Sequence, residues 1–91
     1  MRAYRRDANE QEIVALWKSL GGHWLPMHPS AGFDGLLFHA ARVFIVEIKA
    51  ANGHLTQTER DMQDTIEGLG VAYNVIHNLD EAAELIGMEC E

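Results

Sequence analysis

Residues 32–49, GFDGLLFHAARVFIVEIK, carry the strongest structural signal of the sequence. This stretch contains two runs typical of β-strands, residues 36–38 and 43–48, in which aliphatic, β-branched and aromatic side chains dominate. The four residues between these runs are few enough for a hairpin, although the Asn-Gly signal of tight turns is missing. We therefore predict two adjacent strands at the centre of a sheet.

A helix is predicted before this stretch, over residues 10–20. Asn9 and Glu12 form a capping-box pattern at its start, hydrophobic residues recur at helical spacing, and a Gly-Gly pair ends the run. Residues 23–27 have weak strand character and contain a proline, which suits a short strand at the edge of the sheet. The tryptophans of these two segments are predicted to lie in the core.

Two further helices and one strand are predicted after the stretch. Thr56 and Glu59 form a second capping box, which opens a helix that ends in a glycine-containing turn. Residues 71–76 read as a fourth strand, and Asn78 with Glu81 caps a last helix. The predicted order is αβββαβα, an α/β fold.

The composition is that of a folded chain of one small domain, residues 1–91, with 47% hydrophobic and 23% charged residues. No apolar run approaches the ~20 residues of a bilayer-spanning helix, and no signal-peptide pattern is present, so a cytoplasmic protein is expected. Residues 1–49 hold six Lys and Arg against five Asp and Glu, and residues 50–91 hold one against nine. The net charge of −7 therefore comes from the second half, which is poorly suited to contact phosphate backbones.

Charged residues mark the ends of the two central strands. Because side chains alternate along a strand, Glu47 and Lys49 lie on one face, and Asp34, at the head of the neighbouring strand, can approach Glu47 across the ladder. Paired carboxylates are what a hard cation such as Mg²⁺ selects, and it adds waters and substrate phosphate oxygens. A nearby lysine can stabilise developing charge or orient a water molecule. This pattern indicates phosphodiester hydrolysis.

With these residues in place, the sequence resembles the PD-(D/E)XK nuclease superfamily. Gly32-Phe33-Asp34 followed by Glu47-Ile48-Lys49 is similar to its signature, and αβββαβ is the order of its core, a mixed sheet flanked by helices. Gly53-His54-Leu55-Thr56, at the start of the next helix, most resembles the stand-alone VRR-NUC type. The resemblance covers nearly the whole chain.

The resemblance implies a metal site and a catalytic lysine. Asp34 and Glu47 would bind the divalent metal, Mg²⁺ or Mn²⁺, together with the backbone carbonyl of Ile48. Lys49 would act near the attacking water.

The family pattern suggests further candidate catalytic residues, and this sequence departs from the pattern at two positions. A glutamate of the first helix often contributes in such nucleases, and Glu12 or Glu10 is the candidate here. The family proline before the aspartate is replaced by Phe33. Where a glutamine is common on the helix after the lysine, this chain has Glu59, with Gln63 one turn later on the same face.

The resemblance also implies the substrate. We expect a Mg²⁺- or Mn²⁺-dependent DNA endonuclease that acts on branched DNA such as four-way (Holliday) junctions, in the cytoplasm of a bacterium or a phage-infected cell. A symmetric homodimer would present two sites to two strands. The acidic second half is expected to face away from the DNA or to lie at a subunit contact. The candidates for DNA phosphate contacts are Arg5, Arg6, Arg42 and Arg60.

Other functions remain open at this stage. A non-catalytic nuclease fold that docks another protein is the competing interpretation, motivated by the missing glutamine and the negative charge. The five histidines are spread over separate segments without ligand spacing, so no zinc site is predicted. A hydrolase of free nucleotides is disfavoured because the chain has no glycine-rich phosphate loop.

Overall fold

A four-stranded mixed sheet forms the centre of the computed structural model, which describes residues 8–87. Its strands are β1 (His23–Pro26), β2 (Gly35–His39), β3 (Arg42–Ile48) and β4 (Tyr73–Ile76), in that spatial order. The first three strands pair antiparallel, and β4 pairs with β3 in parallel. The predicted edge strand and the two adjacent central strands are confirmed.

Three helices flank the sheet: α1 (Ala8–Ser19), α2 (Gln57–Gly68) and α3 (Leu79–Leu85). A short 3₁₀ turn, Pro29–Ala31, lies between β1 and β2. The parallel pairing of β3 with β4 requires a crossover connection, which α2 supplies. The predicted order αβββαβα is confirmed, with the bounds of α1 and the strands differing by one or two residues. None of the helices described in residues 8–87 is long and apolar enough to cross a bilayer.

The hairpin between β2 and β3 turns on two alanines. His39 pairs with Arg42, which leaves Ala40 and Ala41 as the turn residues, with φ angles of 51° and 67°. Positive φ at both central positions is a feature of the type I′ turn, whose twist matches that of the strands. A left-handed backbone conformation costs a residue with a side chain roughly 1–2 kcal/mol. The pairing of β2 with β3 must therefore offset the conformational cost of the two alanines.

The hydrophobic core lies between the sheet and the pair formed by α1 and α3. Trp17 of α1 is fully buried and packs in one cluster with Leu37 and Val46 of the central strands. Its indole Nε1–H donates to the carbonyl oxygen of Ala82 in α3 at 2.9 Å, and its ring centre lies 5.5 Å from that of Trp24. Both tryptophans are core residues, as predicted.

Asn9 does not cap α1, which corrects the prediction made from its spacing to Glu12. The helix begins at Ala8, and the Asn9 side-chain amide donates to the carbonyl oxygens of Lys49 and His77, each at 3.2 Å. These carbonyls follow the ends of β3 and β4, so the amide ties α1 to the sheet. The capping pattern does not distinguish an asparagine that bonds its own helix from one that bonds a distant strand.

The other two helix caps are confirmed. The Thr56 hydroxyl accepts the N–H of Glu59, and the Glu59 carboxylate accepts the N–H of Thr56, which completes the capping box of α2. The Asn78 side chain accepts the N–H of Glu81 at the start of α3.

Candidate metal centre

Two hydrogen bonds hold Asp34 against the end of β3. Its backbone N–H donates to the carbonyl oxygen of Val46 at 2.9 Å, and its Oδ2 accepts the N–H of Ile48 at 2.8 Å. Because the N–H and C=O of one strand residue point to the same neighbouring strand, the carbonyl of Ile48 also faces the Asp34 side of β3. The Asp34 carboxylate and this carbonyl therefore lie on one side of the strand.

The turn that carries Asp34 is closely packed around two glycines. Gly32 has a φ of 86°, and a Cβ at this position would press on α2. A Cβ on Gly35 would lie 2.6 Å from a carbonyl oxygen of β1. Phe33, which stands where the family pattern has proline, is half-buried. Glycine is therefore needed on both sides of the Phe-Asp pair.

Glu47 is a carboxyl group buried near the end of an apolar strand. Its side chain is 3% exposed, and burial raises its pKa from 4.5 to about 8, with further increases from the negative charges of Asp34 and Glu59. The ammonium of Lys49 lowers this pKa without outweighing the other effects. Without a bound cation the Glu47 carboxyl is therefore mostly protonated at neutral pH.

Lys49 lies between two carboxyl groups. Its Nζ is 2.8 Å from Oε1 of Glu59 and 3.3 Å from Oε2 of Glu47. Burial lowers the pKa of Lys49, but the hydrogen bond to Glu59 and the charge of Glu47 outweigh burial and leave the pKa above its usual value. Lys49 is thus a cation held in place by its neighbours.

Glu59 reaches the centre from α2 with the same carboxyl group that completes the capping box. Burial raises its pKa, but the hydrogen bonds from Lys49 and from the Thr56 N–H outweigh burial, so the pKa is lowered. Glu59 belongs to the acidic second half of the chain, and its carboxylate nevertheless lies at the candidate centre, 2.8 Å from the ammonium of Lys49. Gln63, one turn later on the same face of α2, is half-buried.

The two glutamates predicted from α1 differ in their surroundings. Glu12 is exposed and shares a shallow cleft with Asn78 at the start of α3. Glu10 is buried, at 7% exposure, near Trp24 of the edge strand. Of these two candidates, Glu10 is therefore the buried one.

Of the arginines predicted to contact DNA, Arg42 lies at the opposite end of β3 from the candidate centre. Arg42 begins β3, about 17 Å along the strand from Glu47, and its guanidinium lies 4.9 Å from the centre of the Phe44 ring. Arg60 is exposed on α2. Arg5 and Arg6 lie outside the described residues.

A solved structure of a VRR_NUC domain is similar to this chain, with a TM-score of 0.67 and 18% sequence identity. The similarity covers 85% of this chain and 88% of that chain. This chain has the VRR-NUC fold. No protein-family model matches the sequence, and no curated protein matches it.

This VRR-NUC fold brings together donors that suit a divalent cation. Asp34 and Glu47 offer carboxylate oxygens, and Ile48 offers a carbonyl oxygen. Burial, followed by the negative charges of Asp34 and Glu59, raises the pKa of Glu47, and a bound cation would favour its ionised form. Among residues 8–87, no three His, Cys, Asp or Glu side chains form a metal-binding group. Water and substrate phosphate oxygens would therefore complete the coordination, which is how Mg²⁺ is commonly bound.

One supporting residue of the candidate centre has no signal in the sequence. Tyr73 of β4 is 5% exposed, and its hydroxyl donates to the carbonyl oxygen of Gly32 at 2.5 Å. Burial raises the pKa of Tyr73 far above its usual value, and the charges of Glu47, Glu59 and Asp34 raise it further. Only the parallel register of β3 and β4 brings this tyrosine to the turn before Asp34.

Proposed function

We propose that this chain is a metal-dependent endonuclease that hydrolyses phosphodiester bonds of DNA, with residues 1–91 forming one nuclease domain of VRR-NUC type. The observation that carries the proposal is the buried carboxyl of Glu47, placed within electrostatic reach of Asp34 and beside the ammonium of Lys49. Strongly perturbed ionisable groups with specific charged partners cluster at functional sites.

Asp34, Glu47 and the carbonyl of Ile48 are the groups that would hold Mg²⁺ or Mn²⁺. When bound, the cation supplies Lewis acidity to a phosphate oxygen and lowers the pKa of water. Lys49 stabilises negative charge on the phosphate or orients the attacking water, and Glu59 keeps its ammonium in place. The catalytic set therefore comes from the turn before β2, the end of β3 and the start of α2.

Further residues complete the proposed site. Gln63 on α2 and Glu12 on α1 are secondary catalytic candidates, and the arginines would contact phosphates away from the scissile bond. Loss of the Gln63 amide, or removal of the charge of Glu12 or of one arginine, is expected to weaken DNA binding or cleavage less than loss of Lys49.

Cleavage assays on labelled four-way junction, flap and plain duplex DNA test this proposal, with Mg²⁺, Mn²⁺ or EDTA. We expect metal-dependent cleavage that falls by roughly 10²–10³-fold in Lys49→Ala and is lost in Asp34→Asn. Lys18→Ala removes an exposed lysine of α1 and serves as the matched control. Intact DNA under every condition, from a protein that circular dichroism shows to be folded, contradicts the proposal.

The proposed substrate is branched DNA such as a four-way junction, cut by a homodimer in the cytoplasm of a bacterium or a phage-infected cell. An apolar surface supports self-association: Leu25, Phe38 and Val43 are 43%, 36% and 58% exposed. The strand register places them on one face of β1, β2 and β3, which we name the open face. A second copy covering this surface would bury these side chains and supply a second site.

A non-catalytic protein-interaction module is the second candidate function. It is favoured by the acid excess of residues 50–91 and by Glu59 at the position where a glutamine is common. Metal binding alone does not separate the two functions, because an inactive site also holds Mg²⁺. Metal-dependent cleavage that falls sharply in Lys49→Ala separates them, since a docking module does not need the lysine.

A further inference from the structure

The position of Asp34 depends on a turn that is anchored at both ends. On one side, the Asp34 N–H and carboxylate bond to the backbone of β3. On the other side, the turn begins at Gly32, whose missing side chain lets it pack on α2: a Cβ there would lie 2.8 Å from the Cβ of Met62. The carbonyl of Gly32 is thus enclosed between the sheet and α2.

Tyr73 supplies the donor for this enclosed carbonyl. Its hydroxyl, 41 residues along the chain from Gly32, reaches the carbonyl oxygen at 2.5 Å from a buried position on β4. The ring lies opposite Ile45 in the parallel register, on the same face of the sheet as Glu47. The tyrosine therefore connects β4 to the turn that presents a metal-binding carboxylate to β3.

We infer that Tyr73 is a positioning residue for Asp34, which sets the metal affinity of the centre by holding the Gly32 carbonyl. This inference rests on the proposed function. Groups that orient metal ligands through hydrogen bonds change metal affinity on the order of 10–100-fold when they are removed. Loss of the hydroxyl is expected to weaken metal binding and to leave the chemical step at saturating metal nearly unchanged.

The test is Tyr73→Phe, which keeps the ring and removes only the hydroxyl. We expect Mn²⁺ binding, measured by calorimetry without DNA, to weaken on the order of tenfold. The Mg²⁺ concentration for half-maximal cleavage is expected to rise by the same factor, while the rate at saturating Mg²⁺ stays within about twofold. An equal loss of rate at saturating Mg²⁺ would overturn the inference, because it would indicate general damage to the site.

A second measurement needs neither metal nor activity. The Ile48 N–H donates to the Asp34 carboxylate, so its hydrogen exchange reports whether that carboxylate stays in place. In Tyr73→Phe the Ile48 amide is expected to exchange faster, whereas the Lys49 amide, bonded to Ile76 on the other side of β3, keeps its protection. Unchanged exchange at Ile48 would overturn the inference even in a protein that cleaves DNA.

Two control variants separate positioning from stability. Thr65→Val removes a hydroxyl that donates to a backbone carbonyl on α2, and Ile86→Val removes a buried methyl group from the core. Both are expected to keep the wild-type Mn²⁺ affinity and Ile48 exchange. A wild-type protein that binds no Mn²⁺ contradicts the proposed function, and the Ile48 exchange of Tyr73→Phe then still decides the role of the tyrosine.

Discussion

At the scale of single residues, the ionic state of Glu47 is the feature with the clearest energetic consequence. In the unfolded chain this carboxyl is ionised above its usual pKa of 4.5, whereas in the fold burial raises the pKa to about 8. Between these values the folded state holds one more proton than the unfolded state, so its stability falls as the pH rises. Ionisation of the buried Glu47 carboxyl therefore lowers the stability of the fold, and a bound cation would offset this loss.

Glu47→Gln is expected to remove this pH dependence. The variant should resemble wild type near pH 4.5 and should be more stable at pH 8.5, by a few kcal/mol at most. Urea unfolding in EDTA at the two pH values measures the difference. Glu67→Gln, an exposed position on α2, is the control. Parallel pH profiles for Glu47→Gln and wild type would show that the carboxyl is not desolvated.

Metal binding is expected to strengthen with pH for the same reason. A cation must displace the proton from Glu47, so apparent affinity for Mn²⁺ rises up to about tenfold per pH unit below the pKa and levels off above it. Calorimetry in buffers of different ionisation enthalpy measures both the affinity and the released proton. Affinity that is independent of pH between 6 and about 9 would contradict a raised pKa for Glu47.

Glu59→Gln tests how the negative charge of Glu59, at the position where the family pattern has glutamine, affects DNA binding. The amide keeps an acceptor for the Thr56 N–H and removes a negative charge that lies 2.8 Å from Lys49. We expect DNA to bind a few-fold more tightly at low salt, because less negative charge opposes the phosphates. Asp61→Asn, an exposed acid of α2, is the matched control, and equal effects in both variants would indicate a general charge effect.

At the scale of elements, the turn of the β2–β3 hairpin has a strained backbone, because alanine occupies positions with positive φ where glycine would fit without strain. Ala41 has a φ of 67°, and glycine adopts this conformation without steric cost. Ala41→Gly is therefore expected to stabilise the fold by roughly 0.5–1 kcal/mol despite the greater flexibility of glycine. Ala15→Gly, on the exposed side of α1, makes the same chemical change and is expected to destabilise by about 1 kcal/mol.

Thermal unfolding of the two alanine variants provides the measurement. Opposite shifts of Tm support the positive φ at the turn. A lower Tm for Ala41→Gly would mean that the hairpin uses a turn of different geometry.

The elements also decide which residues meet at the centre. The parallel pairing of β3 and β4 places Val75 opposite Glu47 and brings Tyr73 close to the turn before Asp34. The Asn9 amide joins α1 to the carbonyls that follow β3 and β4. Hydrogen bonds therefore join the start of α1 to the chain just after β3 and β4, next to Lys49.

At the scale of the whole molecule, the open face bears on assembly. Its exposed apolar residues belong to three neighbouring strands, and α2 packs beside β4 at the other edge of the sheet. Val43→Glu is expected to give a monomer in light-scattering measurements at concentrations where wild type is a dimer. Leu79→Glu, at an equally apolar exposed position on α3, should leave the dimer intact. A wild type that is monomeric at every concentration would contradict the proposed assembly.

Much of the fold was predictable because its signals are local. The capping residues Thr56 and Asn78, the two apolar runs of the hairpin and the alternation that pairs Glu47 with Lys49 each depend on residues close in sequence. Asn9 carried the same local pattern as Thr56, but its amide bonds distant strands instead. Spacing along the chain does not show whether a polar side chain bonds the backbone of its own helix or that of a distant strand.

The order of elements, the resemblance to VRR-NUC nucleases and the positions of Asp34, Glu47 and Lys49 at adjoining strand ends could all be predicted from the amino-acid sequence. The burial of Glu47, the contact of Glu59 with Lys49 and the hydrogen bond of Tyr73 to the turn before Asp34 are seen only in the folded molecule. The two groups of features differ in the sequence separation over which their causes act. Propensity and alternation act between near neighbours, whereas desolvation and long-range hydrogen bonds exist only after β4 and α2 have packed against the hairpin.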